Sequence, residues 1–254
     1  MNRRTFLKVT GLSLLGLAAK PSWDALAARE GTKFIPGPMA LKGRRWAMVV
    51  DTGKCPAGCR ECTDACHRVH NVPDFKNRKD EIKWIWKEPF RDVFPEQEYP
   101  YLKEPLKDRP VIVLCNHCDN PPCVRVCPTK ATFRRPEDGI VMMDYHRCIG
   151  CRFCVAACPY GARSMNFRDP RPFIKEVQPE FPTRTKGVVE KCNFCVERLA
   201  QGLLPACVEA CKEQAMIFGD VEDPQSQVRE IVQARFTLRR RPELGTHPQV
   251  YYIL

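Results

Sequence analysis

Cys148-Ile149-Gly150-Cys151-Arg152-Phe153-Cys154-Val155-Ala156-Ala157-Cys158-Pro159 is the stretch that decides the fold of this chain. Its spacing is C-x2-C-x2-C-x3-C-P. The first three thiols lie close enough along the chain for one loop to wrap three corners of a cubane. The fourth, just before Pro159, leads the chain elsewhere. This is the ligand spacing of a [4Fe–4S] cluster, and in two-cluster proteins the fourth Cys ligates the neighbouring cluster. Structural zinc sites and disulfide frameworks use other spacings.

Outward from this stretch lie three variants of the same pattern. Cys115, Cys118, Cys123 and Cys127 read C-x2-C-x4-C-x3-C-P. Cys192, Cys195, Cys207 and Cys211 stretch one gap to eleven residues. Cys55, Cys59, Cys62 and Cys66 carry one extra residue in the first gap. The four groups use all 16 cysteines of the 254 residues, and a pattern met four times is stronger than any one copy. Crossing of the fourth Cys predicts that the groups work in pairs. The two middle groups form an inner module: one cluster on Cys115, Cys118, Cys123 and Cys158, and one on Cys148, Cys151, Cys154 and Cys127. The outer groups then pair across the chain: one cluster on Cys55, Cys59, Cys62 and Cys211, and one on Cys192, Cys195, Cys207 and Cys66.

The expected fold is α+β: two bacterial-ferredoxin-like two-cluster modules in a pseudo-twofold relation, joined by loops rich in Pro and aromatic residues. The inner module covers about 108–168, and the outer combines about 45–70 with 186–220, all within one domain, 29–254. Apolar β-branched runs predict strands at Trp46–Asp51, Val111–Leu114, Ile140–Asp144 and Gly187–Glu190. Short helices are expected after the fourth cysteines and in the gap Val196–Leu204. Residues 71–110, with Trp84, Trp86, Phe90, Phe94, Tyr99 and Tyr101, and residues 169–185 are too aromatic or Pro-rich for flexible linkers, and read as ordered wrapping. Asp223 is expected to cap a helix with Pro224 at its first position, placing Val228, Ile231 and Val232 on one face. Arg239-Arg240-Arg241 reads as a solvated surface.

The N-terminus supplies an address. Asn2-Arg3-Arg4-Thr5-Phe6-Leu7-Lys8 resembles a twin-arginine export signal. An apolar stretch from Val9 to Ala19 follows, too short to span a bilayer, and Ala25-Leu26-Ala27 offers a cleavage site. Residues 1–28 are therefore read as a signal peptide, and the mature chain as periplasmic. This route suits the cysteines, because thiols exported unfolded into an oxidising compartment tend to pair. No other stretch reaches the length of a membrane span, so attachment to a membrane is expected only through partners. The formal net charge of +11 is spread along the chain rather than gathered into a stripe, which argues against nucleic acid as a partner.

Nothing in the sequence signals substrate chemistry. H-E-x-x-H, a nucleophile elbow, a Walker motif and G-x-G-x-x-G are all absent, and no cysteine is left over as a nucleophile. His67 and His70, just past Cys66, read as loop packing beside a cluster. Lys54, Arg60, Arg147, Arg152 and Lys191 adjoin ligands and are expected to raise cluster potentials by stabilising the reduced state.

Cys115-Asn116-His117-Cys118 through Pro121-Pro122-Cys123-Val124-Arg125-Val126-Cys127-Pro128 resembles a motif of the electron-transfer subunits of membrane-associated oxidoreductases, such as the dimethyl sulfoxide, polysulfide and tetrathionate reductases. So does Lys191-Cys192-Asn193-Phe194-Cys195 with Arg198, Gly202 and Pro205-Ala206-Cys207. Within that family, Cys66-His67, His70-Asn71-Val72-Pro73, Trp84-Ile85-Trp86-Lys87-Glu88, Phe94-Pro95-Glu96 and Gly150–Arg163 are most similar to the DsrO group, periplasmic iron–sulfur subunits of a membrane complex of dissimilatory sulfur metabolism. The resemblance implies four [4Fe–4S] clusters passing single electrons between a quinone-reactive integral membrane subunit and a periplasmic partner, a multihaem cytochrome c. The same carrier role in a molybdopterin-dependent reductase is the alternative, and a zinc- or disulfide-stapled interaction protein a distant one. Two departures stand out: the extra residue between Cys55 and Cys59, and Lys212 where many relatives have Pro.

Overall fold

In the computed structural model, which describes residues 38–254, the chain runs β1 (Trp46–Asp51), α1 (Glu61–Val69), β2 (Ile85–Pro89), α2 (Phe90–Val93), α3 (Glu104–Lys107), β3 (Pro110–Leu114), α4 (Pro122–Arg125), β4 (Thr132–Arg134), β5 (Val141–Met143), α5 (Phe153–Ala157), β6 (Ser164–Met165), β7 (Val189–Glu190), α6 (Val196–Leu199), α7 (Ala206–Glu209), β8 (Met216–Asp220), α8 (Gln227–Ala234) and β9 (Val250–Ile253). Short helices and strands alternate, as expected of an α+β chain. The signal-peptide reading at 1–28 lies outside the described residues. Among the described residues no helix is long and apolar enough to cross a membrane.

The first strand joins distant parts of the chain. β1 pairs antiparallel with β8 and parallel with β9. All six of its residues are buried, because both faces of the strand are covered. Trp46, Met48 and Val50 enter the main core, whereas Ala47 and Val49 meet Val228 and Ile253. Ile231 and Val232 pack on this second cluster, so α8 does present the expected apolar face. β2 and β3 form a separate antiparallel ladder that ends where Pro89 faces Pro110, two residues with no N–H to extend it.

Several local expectations are corrected. The helices lead into the fourth cysteines rather than follow them: α4 ends before Cys127, α5 before Cys158 and α7 before Cys211, while α1 carries Cys62 and Cys66 themselves. Pro121-Pro122 and Pro205 set the starts of α4 and α7, since proline suits the first turn and cannot continue a strand. The C-terminal helix starts later than Asp223. The Asp223 carboxylate accepts from the Gln225 N–H at 2.9 Å in a turn, and the Ser226 hydroxyl accepts from Arg229 N–H at 3.2 Å as the cap. The arginine run at 239–241 is not a solvated surface throughout: Arg240 is buried over the Tyr160 ring. In the 71–110 wrapping, Trp84, Trp86, Phe90 and Phe94 are buried, but Tyr99 and Tyr101 are exposed.

Candidate metal centres

Three of the four cysteine loops share one backbone device. The residue before the second Cys is left-handed in each: His117 (φ 41°), Gly150 (φ 67°) and Phe194 (φ 56°). Three residues after the fourth Cys stands another left-handed residue: Lys130, Gly161 and Gln214. Its N–H bonds back to that Cys carbonyl in each copy, at 3.3, 3.4 and 3.1 Å. Left-handed residues in a turn direct successive N–H groups into a concavity suited to anions, a device used at iron–sulfur sites. The Cys55 group departs from this scheme. Its extra residue replaces the tight turn, and α1 continues past Cys66 to Val69.

Gly150 is also where the third loop touches another segment. A Cβ there would overlap the Gly187 carbonyl oxygen, just before β7, in a left-handed conformation. Gly150→Ala is therefore expected to cost at least about 1–2 kcal/mol from backbone handedness alone. Thermal unfolding of the loaded protein checks this: an unchanged midpoint would mean that the loop does not depend on this approach.

The sulfurs gather as follows. Cys62 faces Cys55 and Cys211, and these three with Cys59 line a cavity of about 430 Å³ that Ile112 and Lys212 help close. Cys66 lies near Cys195, Cys207 and Cys192 and, with the smallest effect of the four, Cys62, and its fully buried thiol is pushed well up by burial first and by those neighbours second. Cys118 faces Cys115, Cys123 and Cys158, and burial pushes it up to about 12. Cys154 packs with Cys123, Cys127 and Cys148. Cys151 is half-buried in the same loop.

Neighbouring sets lie near one another in sequence. Cys207 faces Cys62, Cys192 faces Cys115, and Cys123 faces Cys154. The set of Cys66, Cys192, Cys195 and Cys207 is wholly buried, Cys158 is the one half-buried member of the set with Cys115, Cys118 and Cys123, and Cys55, Cys59 and Cys211 at one end and Cys127, Cys148 and Cys151 at the other are half-buried.

The donor set fits [4Fe–4S] clusters. All sixteen thiols are unpaired, and N–H groups turn onto the sulfurs: Phe194 N donates to Cys192 Sγ at 3.4 Å, Ala206 N to Cys195 Sγ at 3.4 Å and Ala215 N to Cys211 Sγ at 3.3 Å. Such bonds favour the thiolate, the form that binds metal.

The second layer is polar and buried. His70 stacks on Trp84 at 4.4 Å, with Nδ1 2.9 Å from the Cys66 carbonyl oxygen and Nε2 2.7 Å from Glu197 Oε1. Burial opposes the Glu197 charge, but hydrogen bonds from His70 and Asn193 outweigh it and hold the carboxyl below its usual range. His117 lies on the Phe194 ring at 3.7 Å and accepts from Val141 N–H at Nδ1. Burial first, then Lys191, Arg45 and Arg163, lower its pKa far enough to keep it neutral. Of the five cations named from sequence, only Lys191 is buried; Lys54, Arg60, Arg147 and Arg152 are exposed and screened by water. Sequence reasoning overlooked Arg163, which donates to Cys123 Sγ at 3.1 Å. Its signal is a lone charge in the apolar run Tyr160-Gly161-Ala162, five residues past a ligand.

Comparison with known proteins gives concordant findings. The 4Fe-4S dicluster domain family matches at residues 111–170 and 177–221, stretches that hold the second, third and fourth cysteine groups. The chain is 41% identical to the Hdr-like menaquinol oxidoreductase iron–sulfur subunit 1 of Archaeoglobus fulgidus, over 99% of this chain and 97% of that protein. It is 37% identical to the iron–sulfur cluster-binding subunit of the menaquinone reductase of Nitratidesulfovibrio vulgaris, over 82% of this chain and 88% of that one. Identity to a tetrathionate reductase subunit of Salmonella typhimurium is also 37%, over 99% of this chain and 88% of that protein.

Proposed function

Because this chain belongs to the family of iron–sulfur electron-transfer subunits of membrane-associated oxidoreductases, we propose that it holds four [4Fe–4S] clusters as a one-electron wire. The ligand sets are Cys55, Cys59, Cys62 and Cys211; Cys66, Cys192, Cys195 and Cys207; Cys115, Cys118, Cys123 and Cys158; and Cys127, Cys148, Cys151 and Cys154, in that order along the path. The outer two sets and the inner two form two ferredoxin-like modules in a pseudo-twofold relation. Bound clusters supply one-electron exchange at potentials set by hydrogen bonds to sulfur, net charge and burial. The chain contributes the spacing, the N–H donors and a more buried middle than ends, which favours entry and exit of electrons at the ends.

One observation carries this reading: the fold brings Cys66 against Cys192, Cys195 and Cys207, a quartet that no single sequence motif contains. The test is iron and acid-labile sulfide per chain on anaerobically purified protein. About sixteen of each is expected from four clusters. About twelve of each points to a missing cluster, with the Cys55 set the first suspect. Zinc instead of iron on fully assembled protein overturns the wire.

The partners proposed are a quinone-reactive integral membrane subunit at one end and a multihaem cytochrome c at the other. The setting is a DsrO-type complex of sulfur metabolism, with the chain exported to the periplasm by its twin-arginine start. Similarity to menaquinol and menaquinone reductase subunits supports the quinone side. Copurification of both partners from detergent-solubilised membranes is the expected result; a molybdopterin subunit in place of the cytochrome moves the chain to the reductase alternative.

A further inference from the structure

Arg163 lies where the chain turns from Cys158 into β6 and is only 4% exposed. Its Nη2 donates to Cys123 Sγ at 3.1 Å and to Thr132 Oγ1 at 2.7 Å, and Nη1 lies 3.9 Å from Met143 Sδ. Among the described residues no carboxylate pairs with it. Two other buried arginines have one, Arg184 meeting Glu190 and Arg45 meeting Asp119, while buried Arg240 lies over the Tyr160 ring instead. The negative groups facing Arg163 are sulfurs, those of Cys123, Cys115, Cys154 and Cys158. Lys191, also buried, faces Cys115 and Cys123 and places its Nζ on the Val141 and Cys192 carbonyl oxygens. Two buried like charges near one another are costly unless anions offset them, and here only sulfur ligands are placed to do so.

Cys123 and Cys154 belong, on the ligand sets above, to different clusters. We propose that Arg163 is the shared counter-charge of the two inner clusters, raising both of their reduction potentials and biasing electrons toward the inner half of the wire. Each reduction adds one negative charge to a cluster, and a fixed cation in a water-poor site favours that state. The flat guanidinium suits the task, since its fork of donors serves sulfurs on two sides while the charge stays fixed.

The inference rests on the four-cluster reading, so iron and sulfide are counted first. About sixteen of each in the wild type secures the premise, and a lower count sinks the premise rather than the role of Arg163. EPR-monitored potentiometric titration of the whole protein then compares the wild type with Arg163→Gln, which keeps N–H donors but removes the charge. Two of the four couples should fall, each by at least about tenfold in reduced-to-oxidised ratio at a fixed potential, about 59 mV for one electron. The other two should hold. Arg163→Lys keeps a charge but not the fork, and should lower the same two couples by less. Four unmoved couples in a fully loaded Gln variant overturn the proposal, as does an equal fall in all four. If the Gln variant fails to load, the Lys variant decides on the same criteria. Failure of both to load reduces Arg163 to a structural role.

Discussion

Cys66→Ser lowers iron and acid-labile sulfide from about sixteen to about twelve per chain and stops transfer between the two half-buried ends. The effect is large because of where Cys66 sits. It is buried in α1, faces Cys192, Cys195 and Cys207, and completes a set in the middle of the proposed path. A serine hydroxyl is a poor replacement for a soft thiolate. Cys62 stands one helical turn earlier, so both thiols share a face of α1, yet Cys62 faces Cys55 and Cys211 instead. One helix thus performs the crossover between two clusters. The EPR signal that disappears should be that of the cluster also lost in Cys195→Ser. If Cys66→Ser instead removes the signal lost in Cys55→Ser, the crossed pairing is wrong and each outer group holds its own cluster.

The cysteine spacing made much of this legible, because ligand loops are local: three thiols within seven residues define a turn whatever surrounds it. β1 was readable at its observed bounds, since an unbroken apolar run from Trp46 to Val50 has no exposed face to offer. The helix expected in the gap from Val196 is there as α6 (Val196–Leu199); those expected after the fourth cysteines were misplaced for a physical reason. A four-residue helix such as α4 or α7 has too few residues for hydrophobic periodicity, and its start is set by prolines and by the ligand on it. The Asp223 cap failed because Asp, Ser and Pro within four residues offer two competing turns, and only packing of Val228 against β1 selects Ser226. Arg240 looked like surface because a run of three arginines hides the one that turns inward onto Tyr160. Arg163 was missed because nothing local distinguishes a cation that lies beside sulfur from one that lies in water; that depends on Cys123, forty residues away.

Glu190→Ala is expected to destabilise the loaded protein by about 3–5 kcal/mol, the cost of stranding one charge of a buried ion pair. Arg184 and Glu190 are both fully buried and 2.6 Å apart. The Glu190 carboxylate also accepts from Trp84 Nε1 at 2.9 Å and Asn166 Nδ2 at 2.6 Å. Arg184 donates to the carbonyl oxygens of His70 and Asn71 at 2.5 and 2.8 Å. The pair thereby pins the 169–185 connector to β7 and to the end of α1, beside the set completed by Cys66. Asn71 fastens the same connector through the Gln178 and Phe181 carbonyl oxygens. With Glu190 gone, Arg184 has carbonyls but no counter-charge, and the connector should become the first site of limited proteolysis, near 175–186. Arg184→Met with Glu190→Leu removes both charges while keeping bulk, and should recover much of the loss. Chemical denaturation of the loaded wild type, Arg184→Met, Glu190→Leu and the double variant decides it: if the double variant is as unstable as the sum of its two singles, the two charges act independently and the pair does not hold the connector.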